Sequence, residues 1–195
     1  MTDEVTLTAW IKVNQFAKSW QAIVCKGDRS YRLQRNEDTN ELHFAFDTPI
    51  GDPNTSTDVI AKGSMNVNDN KWHHVAGTYN GEEICLYIDG VLDSSSEAVE
   101  LPILKIAANI AIGENLEYAT SFNGKIDQVR LYEIGLPAEN ILQQFIDDEG
   151  GNSCGQVYRA TDINEDCYTN IEDLALMAAD WLMCQDVADP LCSAE

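Results

Sequence analysis

The chain has 195 residues, 44% of them hydrophobic, with 33 acidic against 12 basic residues and a net charge of −21. This length and composition are typical of one or two globular domains, each with its own core. The charge excludes the basic stripe that nucleic acids and anionic membranes require. No run of about eighteen apolar residues could span a bilayer.

No signal peptide precedes the first predicted strand, and Met1 lies directly before TDEVTLTAW. We expect this start to be that of a fragment, so the missing leader is not taken to indicate a cytosolic protein.

Short strands separated by turns fill residues 1 to about 135 and predict an all-β sandwich or barrel. The first, VTLTAWIKV, alternates, which places on one face Val5, Leu7, Ala9 and Ile11. The stretches YRLQRNE and ELHFAFDT are predicted to pair as a hairpin around a polar tip. Gly, Pro, Asn, Ser and Thr dominate residues 49–62, which are therefore predicted to form a loop.

A second hairpin is predicted from KWHHVAGTY and EEICLYIDG, because Asn80-Gly81 between them is a strong hairpin turn signal. The stretches NIAIGE and KIDQVRLYE then close the sandwich. Within this region, Trp10 and Trp72 are expected in the core. Adjacent strand residues point to opposite faces, so His73 and His74 cannot share a ligand.

A short helix, PAENILQQFIDD, is predicted next, with Pro137 in its first turn. Its apolar residues Ile141, Leu142 and Phe145 are expected to cover the sandwich edge. The Gly-rich stretch EGGNSCG follows as a linker. The predicted domains are therefore a sandwich over residues 1–148 and a small segment over 149–195.

Residues 162–173 have the spacing of an EF-hand-type calcium loop. Side-chain oxygens stand at positions 1, 3, 5, 9 and 12, and position 7 would donate its backbone carbonyl. The predicted ligands are Asp162, Asn164, Asp166, Tyr168, Asn170 and Asp173. A helix is predicted to follow, with an apolar face that includes Leu174, Met177 and Trp181.

Four of the six cysteines, which are Cys154, Cys167, Cys184 and Cys192, crowd this C-terminal segment. Zinc is disfavoured because they lack CxxC spacing and no histidine lies nearby. Two disulfides and an oxidising compartment are favoured, with three connectivities open. In the predicted strands, Cys25 and Cys85 could pair or could be small buried hydrophobic residues, and both alternatives stay open.

Four separated motifs carry a family resemblance: TLTAWIKV, IVCKGD, KWHHVAGTYNGEEICLYIDGVL and FNGKIDQVRLYEIGLPAENI. In this order they resemble a laminin-G-like domain of the concanavalin-A-like jelly-roll class, over residues 3 to about 147. The resemblance implies a mainly β, two-sheet antiparallel sandwich, from a bacterial secreted or surface protein, that binds carbohydrate or protein without catalysis. Such domains usually begin with an additional strand. Its absence here is expected to leave a sheet edge exposed.

The calcium loop and its helix resemble one half of a dockerin, a module that docks bacterial enzymes onto cohesins. Position 12 of the loop is Asp173, as is common in dockerins, whereas position 6 is Cys167 where a glycine is usual. A dockerin needs two such halves and this chain has one, so cohesin docking is not expected. Calcium binding depends on the single loop and is still expected.

Five residues are candidates for ligand binding, because an exposed indole can stack on a sugar ring and polar neighbours can bond its hydroxyls. They are Trp20, Tyr31, Arg32, Arg35 and His43, with Arg32 and His43 on the polar face of their strands. The resemblance also suggests a second calcium site near the GKID strand, formed by Glu114, Asn115 and Asp127.

Catalysis is not expected, because no strand carries two carboxylates on one face for glycoside hydrolysis and no other catalytic motif is present. The favoured function is a secreted, calcium-binding, carbohydrate-binding accessory module of a larger bacterial protein. An adhesion or assembly module that binds another protein is the alternative, and a glycoside hydrolase is the weakest of the three.

Overall fold

The computed structural model of the protein describes residues 4–50, 52–98, 100–148 and 174–175. The chain divides into two compact units, Met1–Phe145 and Ile146–Glu195. No helix within these described ranges is long and apolar enough to cross a membrane. The elements in chain order are β1 (Val5–Val13), β2 (Ala22–Lys26), β3 (Tyr31–Arg35), β4 (Leu42–Ile50), β5 (Asp52–Lys62), β6 (Trp72–Tyr79), β7 (Glu83–Ile88), β8 (Val91–Glu97), β9 (Ile110–Ile112), β10 (Gly124–Tyr132) and α1 (Ala138–Asp148).

Two five-stranded sheets form the fold. Sheet 1 has the strand order β10-β1-β6-β7-β8, and sheet 2 has the order β5-β4-β3-β2-β9. Every pair of neighbouring strands in them is antiparallel. The predicted jelly-roll sandwich is therefore confirmed. The predicted calcium loop and the four C-terminal cysteines lie outside the described residues.

The core lies between the sheets and is built by the alternation visible in the sequence. The face of β1 predicted to be apolar is buried in this core. From sheet 2, Phe44 and Phe46 of β4 reach across to β6, and the Phe46 and Tyr79 rings lie 4.6 Å apart. A methyl group at Gly77 of β6 would overlap the ring of Phe44, so the two sheets meet here in close contact.

Helix α1 covers the outer face of sheet 1, not its edge as the sequence suggested. Phe145 stacks on Trp10 of β1 with 5.7 Å between ring centroids, and Ile141 packs into a cluster with Ala76 and Tyr87. Trp10 is buried by this contact, as expected. Trp72 is 42% exposed at the start of β6, so its assignment to the core was wrong.

Both predicted hairpins are confirmed: β3 pairs with β4, and β6 pairs with β7. The predicted loop over residues 49–62 is wrong, because Asp52–Lys62 forms β5 and pairs along β4. An edge strand pairs on one side only, which is why this polar sequence is tolerated as a strand.

Two predictions about the strands have clear outcomes. Cys25 on β2 and Cys85 on β7 lie in different sheets, and both are free and buried. Of the two alternatives, they are therefore small buried residues and do not form a disulfide. Burial raises the pKa of the Cys25 thiol to about 11, as expected for an inert residue. The first strand, β1, lies inside sheet 1 between β10 and β6, so the two edges of that sheet are β10 and β8.

Candidate functional site

The outer face of sheet 2 carries polar side chains in cross-strand rows. Leu33, Phe44 and Ala61 point inward to the core, so their strand neighbours point outward. The register places Gln34, His43 and Lys62 side by side on β3, β4 and β5. Arg32 lies in the row adjacent to this one. In the row beyond Arg32, Asp47 of β4 and Asp58 of β5 lie opposite each other. Sheet pairing thus brings together residues that are far apart in the sequence.

One wall above this face is the loop that contains Trp20. Arg35 holds this loop, because its guanidinium lies 5.1 Å from the Phe16 ring centroid and donates to the Lys18 carbonyl at 2.6 Å. The Trp20 amide donates to the Glu37 carbonyl at 3.4 Å. Trp20 has φ 59°, a left-handed conformation that is uncommon for a bulky residue. Its indole is 40% exposed and meets the His43 ring edge-to-face at 5.4 Å.

A second wall, hydrogen-bonded to the first through Lys18 and Ala119, is the loop between β9 and β10. Asn115 is buried there and donates through its side-chain amide to Asp28 at 2.9 Å, and its side-chain oxygen accepts from the Glu117 amide. Backbone bonds to the Asn115 carbonyl from Tyr118 and Ala119 close the turn. The Tyr118 ring is 65% exposed. The pocket lining therefore includes two exposed aromatic rings, those of Trp20 and Tyr118.

The two walls and the sheet enclose a cavity of about 680 Å³. This volume falls in the range typical of small-molecule sites. The residues that line it are Ser19, Trp20, Asp28, Arg32, Gln34, Glu37, His43, Asp58, Ile60, Lys62, Asn115, Tyr118 and Thr120.

Several buried polar atoms at the floor of this pocket have no hydrogen-bond partner among the described residues. They are both ring nitrogens of His43, Oε1 of Gln34 and Oγ1 of Thr120. His43 is 2% exposed and Gln34 3%. An unpaired buried polar group costs roughly 1–3 kcal/mol, so such groups at a pocket floor are suited to bonding a polar ligand or ordered water.

Burial in this floor lowers the pKa of His43 to about 3, and the positive charges of Arg32 and Lys62 act in the same direction. The imidazole is therefore neutral across the physiological range, with one nitrogen that donates and one that accepts. A ring of this kind can donate to one hydroxyl group and accept from another without adding charge to the site.

The two cations that line the pocket, Arg32 and Lys62, both form ion pairs with carboxylates of the protein. Arg32 is buried and bonds Asp47 at 3.0 Å and also Asp58, while Lys62 pairs with Glu37 at 3.5 Å. Burial raises the pKa of Asp47, but hydrogen bonds with Asp58, Ser56 and Arg32 outweigh it and leave the pKa below its ordinary value. Burial, together with the bond to Asp47, raises the pKa of Asp58.

Three of the five predicted ligand-binding residues line the pocket: Trp20, Arg32 and His43. Tyr31 instead packs against the core between the sheets, and Arg35 lies beneath the Trp20 loop as a positioning residue. Whether any of them binds a ligand stays a prediction.

The residues of the predicted second calcium site are not brought into one cluster. Asn115 lines the pocket, Glu114 bonds Ser121 at 3.1 Å, and Asp127 lies on β10 of sheet 1. Among the described residues, no three His, Cys, Asp or Glu side chains converge as they would around a metal ion. The second site remains a prediction.

Sequence reasoning missed most of the pocket. Asp58, Ile60 and Lys62 lie on β5, which was taken for a loop, although Val59 and Ala61 alternate with them. The exposed ring of Tyr118 was not considered, and the apolar residues around it in ENLEYAT were the available signal.

A second histidine cluster lies outside the pocket, at the start of β6. His73 bonds Asp89 at 2.8 Å and Asp69 at 3.0 Å through its two ring nitrogens. The hydrogen bond with Asp89 is the main cause that raises the pKa of His73. His74 lies on the opposite face, edge-on to Trp10 beneath α1, as the alternation of strand side chains predicts.

These features define a jelly-roll β-sandwich with a polar pocket, flanked by aromatic rings, on the outer face of one sheet. Residues 1–142 match the family described as the concanavalin A-like lectin/glucanases superfamily, in its laminin-G form. The chain belongs to this family, as the sequence motifs indicated. No curated protein matches the sequence.

Solved structures share the fold at low identity. The binding domain of the Paraclostridial mosquitocidal protein 1 is 19% identical, with a TM-score of 0.61 over 77% of this chain and 38% of its own. A Bacteroides ovatus protein provisionally described as carbohydrate-binding is 18% identical, with a TM-score of 0.58 over 73% and 40%. The binding domain of botulinum neurotoxin DC, in complex with SialylT, is 18% identical, with a TM-score of 0.54 over 78% and 37%. This chain thus spans about two fifths of the structures it matches.

Proposed function

We propose that the protein is a non-catalytic glycan-binding module and that the pocket lined by Trp20 and Tyr118 is its binding site. The observation that carries the proposal is the pairing of exposed aromatic rings with unpartnered buried polar atoms in one cavity. A sugar ring has apolar C–H faces that suit aromatic stacking and hydroxyl groups that suit polar partners. The description of the Bacteroides ovatus protein as carbohydrate-binding supports the same class of ligand.

In this proposal each part of the pocket has a separate task. Trp20 and Tyr118 provide platforms for stacking, while His43 and Gln34 bond hydroxyl groups at the floor. A ligand group that reaches His43 and Gln34 is favoured only if it bonds their buried polar atoms. The pocket therefore selects a ligand with many hydroxyl groups over an apolar one.

Binding is tested with a glycan array and polysaccharide pull-down, comparing Trp20→Ala with Trp72→Ala. The two tryptophans are matched in exposure, at 40% and 42%, but Trp72 does not line the pocket. We expect Trp20→Ala to lose binding and Trp72→Ala to keep it. Equal loss in the two variants, or no binding by the unaltered protein to any glycan, would contradict the proposal.

Because carboxylates line the pocket, a glycoside hydrolase is an alternative function that has to be tested. Asp28, Glu37 and Asp58 all line it. Glycoside hydrolysis needs one carboxylate free to act as nucleophile or base and a second as acid, whereas Asp58 is bonded to Arg32 and Glu37 to Lys62. We expect no reducing sugar to be released from any bound polysaccharide, and release abolished by Asp28→Asn would refute the non-catalytic assignment.

We further propose that the loop over residues 162–173 binds one calcium ion and stabilises the C-terminal segment, in a module secreted by a bacterium. The support is the spacing of its five oxygen-bearing side chains. An ion that binds only the folded form adds roughly 2.7 kcal/mol at a hundredfold excess over Kd. Titration calorimetry on demetallated protein should show heat that the Asp162→Ala, Asp166→Ala double variant lacks.

A protein partner remains the second candidate function, since Leu174 of the predicted helix face is 54% exposed. It predicts calcium-dependent association that Leu174→Asp abolishes while glycan binding persists. Sedimentation with calcium and with EDTA distinguishes this outcome from a protein that stays monomeric in both.

A further inference from the structure

The charges around the pocket suggest a more specific ligand class, and this step rests on the proposed glycan-binding function. We propose that the pocket selects uncharged glycans and rejects acidic ones, such as those bearing uronate, sialyl or sulfate groups. The proposal depends on which charged groups line the cavity and on how each is already paired.

The lining residues contain three carboxylates and two cations. The carboxylates are Asp28, Glu37 and Asp58, and the cations are Arg32 and Lys62. His43 adds no charge in the physiological range. The lining is therefore net negative, in a chain whose net charge is −21, and an anionic ligand would be repelled at short range and at long range.

Both cations are committed to carboxylates of the protein. Arg32 is shared between Asp47 and Asp58, and it is buried, so an anionic sugar would have to displace an existing ion pair. Lys62 at the rim is neutralised by Glu37. Breaking a buried ion pair leaves an uncompensated charge and is strongly unfavourable, which prevents Arg32 from serving as an anion receptor.

Asp28 is the lining carboxylate that forms no ion pair among the described residues, and burial raises its pKa although the charge of Arg32 acts in the opposite direction. Its Oδ1 accepts from the Asn115 amide at 2.9 Å, which orients the carboxylate without neutralising it. The other nearby lysine, Lys18, does not line the cavity, and its ammonium donates to the Ala119 carbonyl at 3.3 Å. An acidic glycan would therefore meet Asp28 with no free cation to offset the repulsion, whereas a neutral glycan can donate hydroxyl groups to it.

The test uses pairs of polymers that differ in charge more than in backbone: galactan with polygalacturonate, mannan with alginate, and a glucan with its carboxymethyl derivative. Binding is measured by affinity electrophoresis and calorimetry at low and high salt. We expect the unaltered protein to bind at least one neutral member and none of the acidic ones at low salt, where repulsion is strongest.

A gain of binding provides the sharper test. Glu37→Gln frees Lys62 at the pocket rim and should raise the affinity for the acidic counterpart of the bound polymer on the order of fivefold at low salt, the value for one unit charge about 4 Å away in water. Glu97→Gln changes the net charge equally, on exposed β8 of the other sheet, and should leave that affinity unchanged.

Each outcome separates the two levels of the proposal. Equal or tighter binding of an acidic polymer by the unaltered protein overturns the selectivity and leaves glycan binding in place. An equal gain in both glutamine variants also overturns it, because the effect would then come from net charge and not from the pocket. Binding of no polymer of either kind refutes the glycan-binding function itself.

Discussion

The backbone of Trp20 allows its strain and its binding role to be measured in one experiment. Trp20 combines a φ of 59° with an indole that lies against His43 at the pocket. Replacing it with alanine or with glycine removes the same ring and the same contacts. The two variants differ only in backbone properties, which are the tolerance of the left-handed conformation and the entropy of the unfolded chain, so their difference in stability isolates the backbone.

The expected magnitude follows from two opposing effects. A residue with a Cβ pays roughly 1–2 kcal/mol in the left-handed region, which glycine does not. Glycine gives the unfolded chain more entropy, which costs about 0.4–1 kcal/mol relative to alanine. The glycine variant should therefore be more stable than the alanine variant by roughly 0.5–1 kcal/mol, although glycine is usually the less stable of the two.

Urea unfolding followed by tryptophan fluorescence from the remaining indoles measures this difference. With a slope of about 2 kcal/mol/M, the glycine midpoint should lie roughly 0.3–0.5 M above the alanine midpoint. Both variants should lose glycan binding equally, so the loss cannot be attributed to unfolding. An alanine variant as stable as the glycine variant would refute the strained backbone, and retained binding in either variant would refute the stacking role.

Three further predictions follow from the core and from the histidines. Gly77→Ala should destabilise the fold by about 1–3 kcal/mol, since its methyl overlaps the Phe44 ring, and Phe44→Leu added to it should recover part of that loss in urea titrations; additive losses would contradict this. Hydrogen bonding to Asp89 raises the pKa of His73 above its ordinary 6.5, so its contribution to stability is full below pH 6.5 and is lost as pH rises through the folded-state pKa. His73→Gln should reduce the loss of stability with rising pH. If this pH dependence is unchanged in the variant, the contact of His73 with Asp89 is not its cause. For His43, whose pKa is lowered to about 3, the sign reverses: stability falls as pH falls from 6.5 to about 3, and His43→Gln should remove this dependence, measured by thermal unfolding across the acid range.

The β-sandwich was predictable because its signals are local. Alternation in VTLTAWIKV marks the inward face of β1, and Asn80-Gly81 marks the turn between β6 and β7. Such patterns depend only on the two-residue period of a strand and on the backbone that a tight turn requires. The edge strand β5 was missed for the converse reason, since its polar residues satisfy neither signal while β4 supplies its hydrogen bonds.

The pocket was only partly predictable. The polar face of Arg32 and His43 followed from alternation, and the exposure of Trp20 followed from its place between strands. The sequence did not indicate that Lys62 lies beside His43 or that Asp58 lies opposite Asp47, because those neighbours depend on the register of β4 with β5. It also did not indicate that the Asn115 side-chain amide donates to Asp28, while the assignment of Asn115 to a calcium site stays a prediction.

The amino-acid sequence by itself determined the strand class, the inward faces, both hairpins and the family of this protein, because each depends on residues close together in the chain. Tertiary structure alone decided which polar side chains share the cavity, which cations are already paired, and which histidine is buried and neutral. These properties depend on strand order and on burial between distant segments, and Coulomb interactions and desolvation act only once those segments meet.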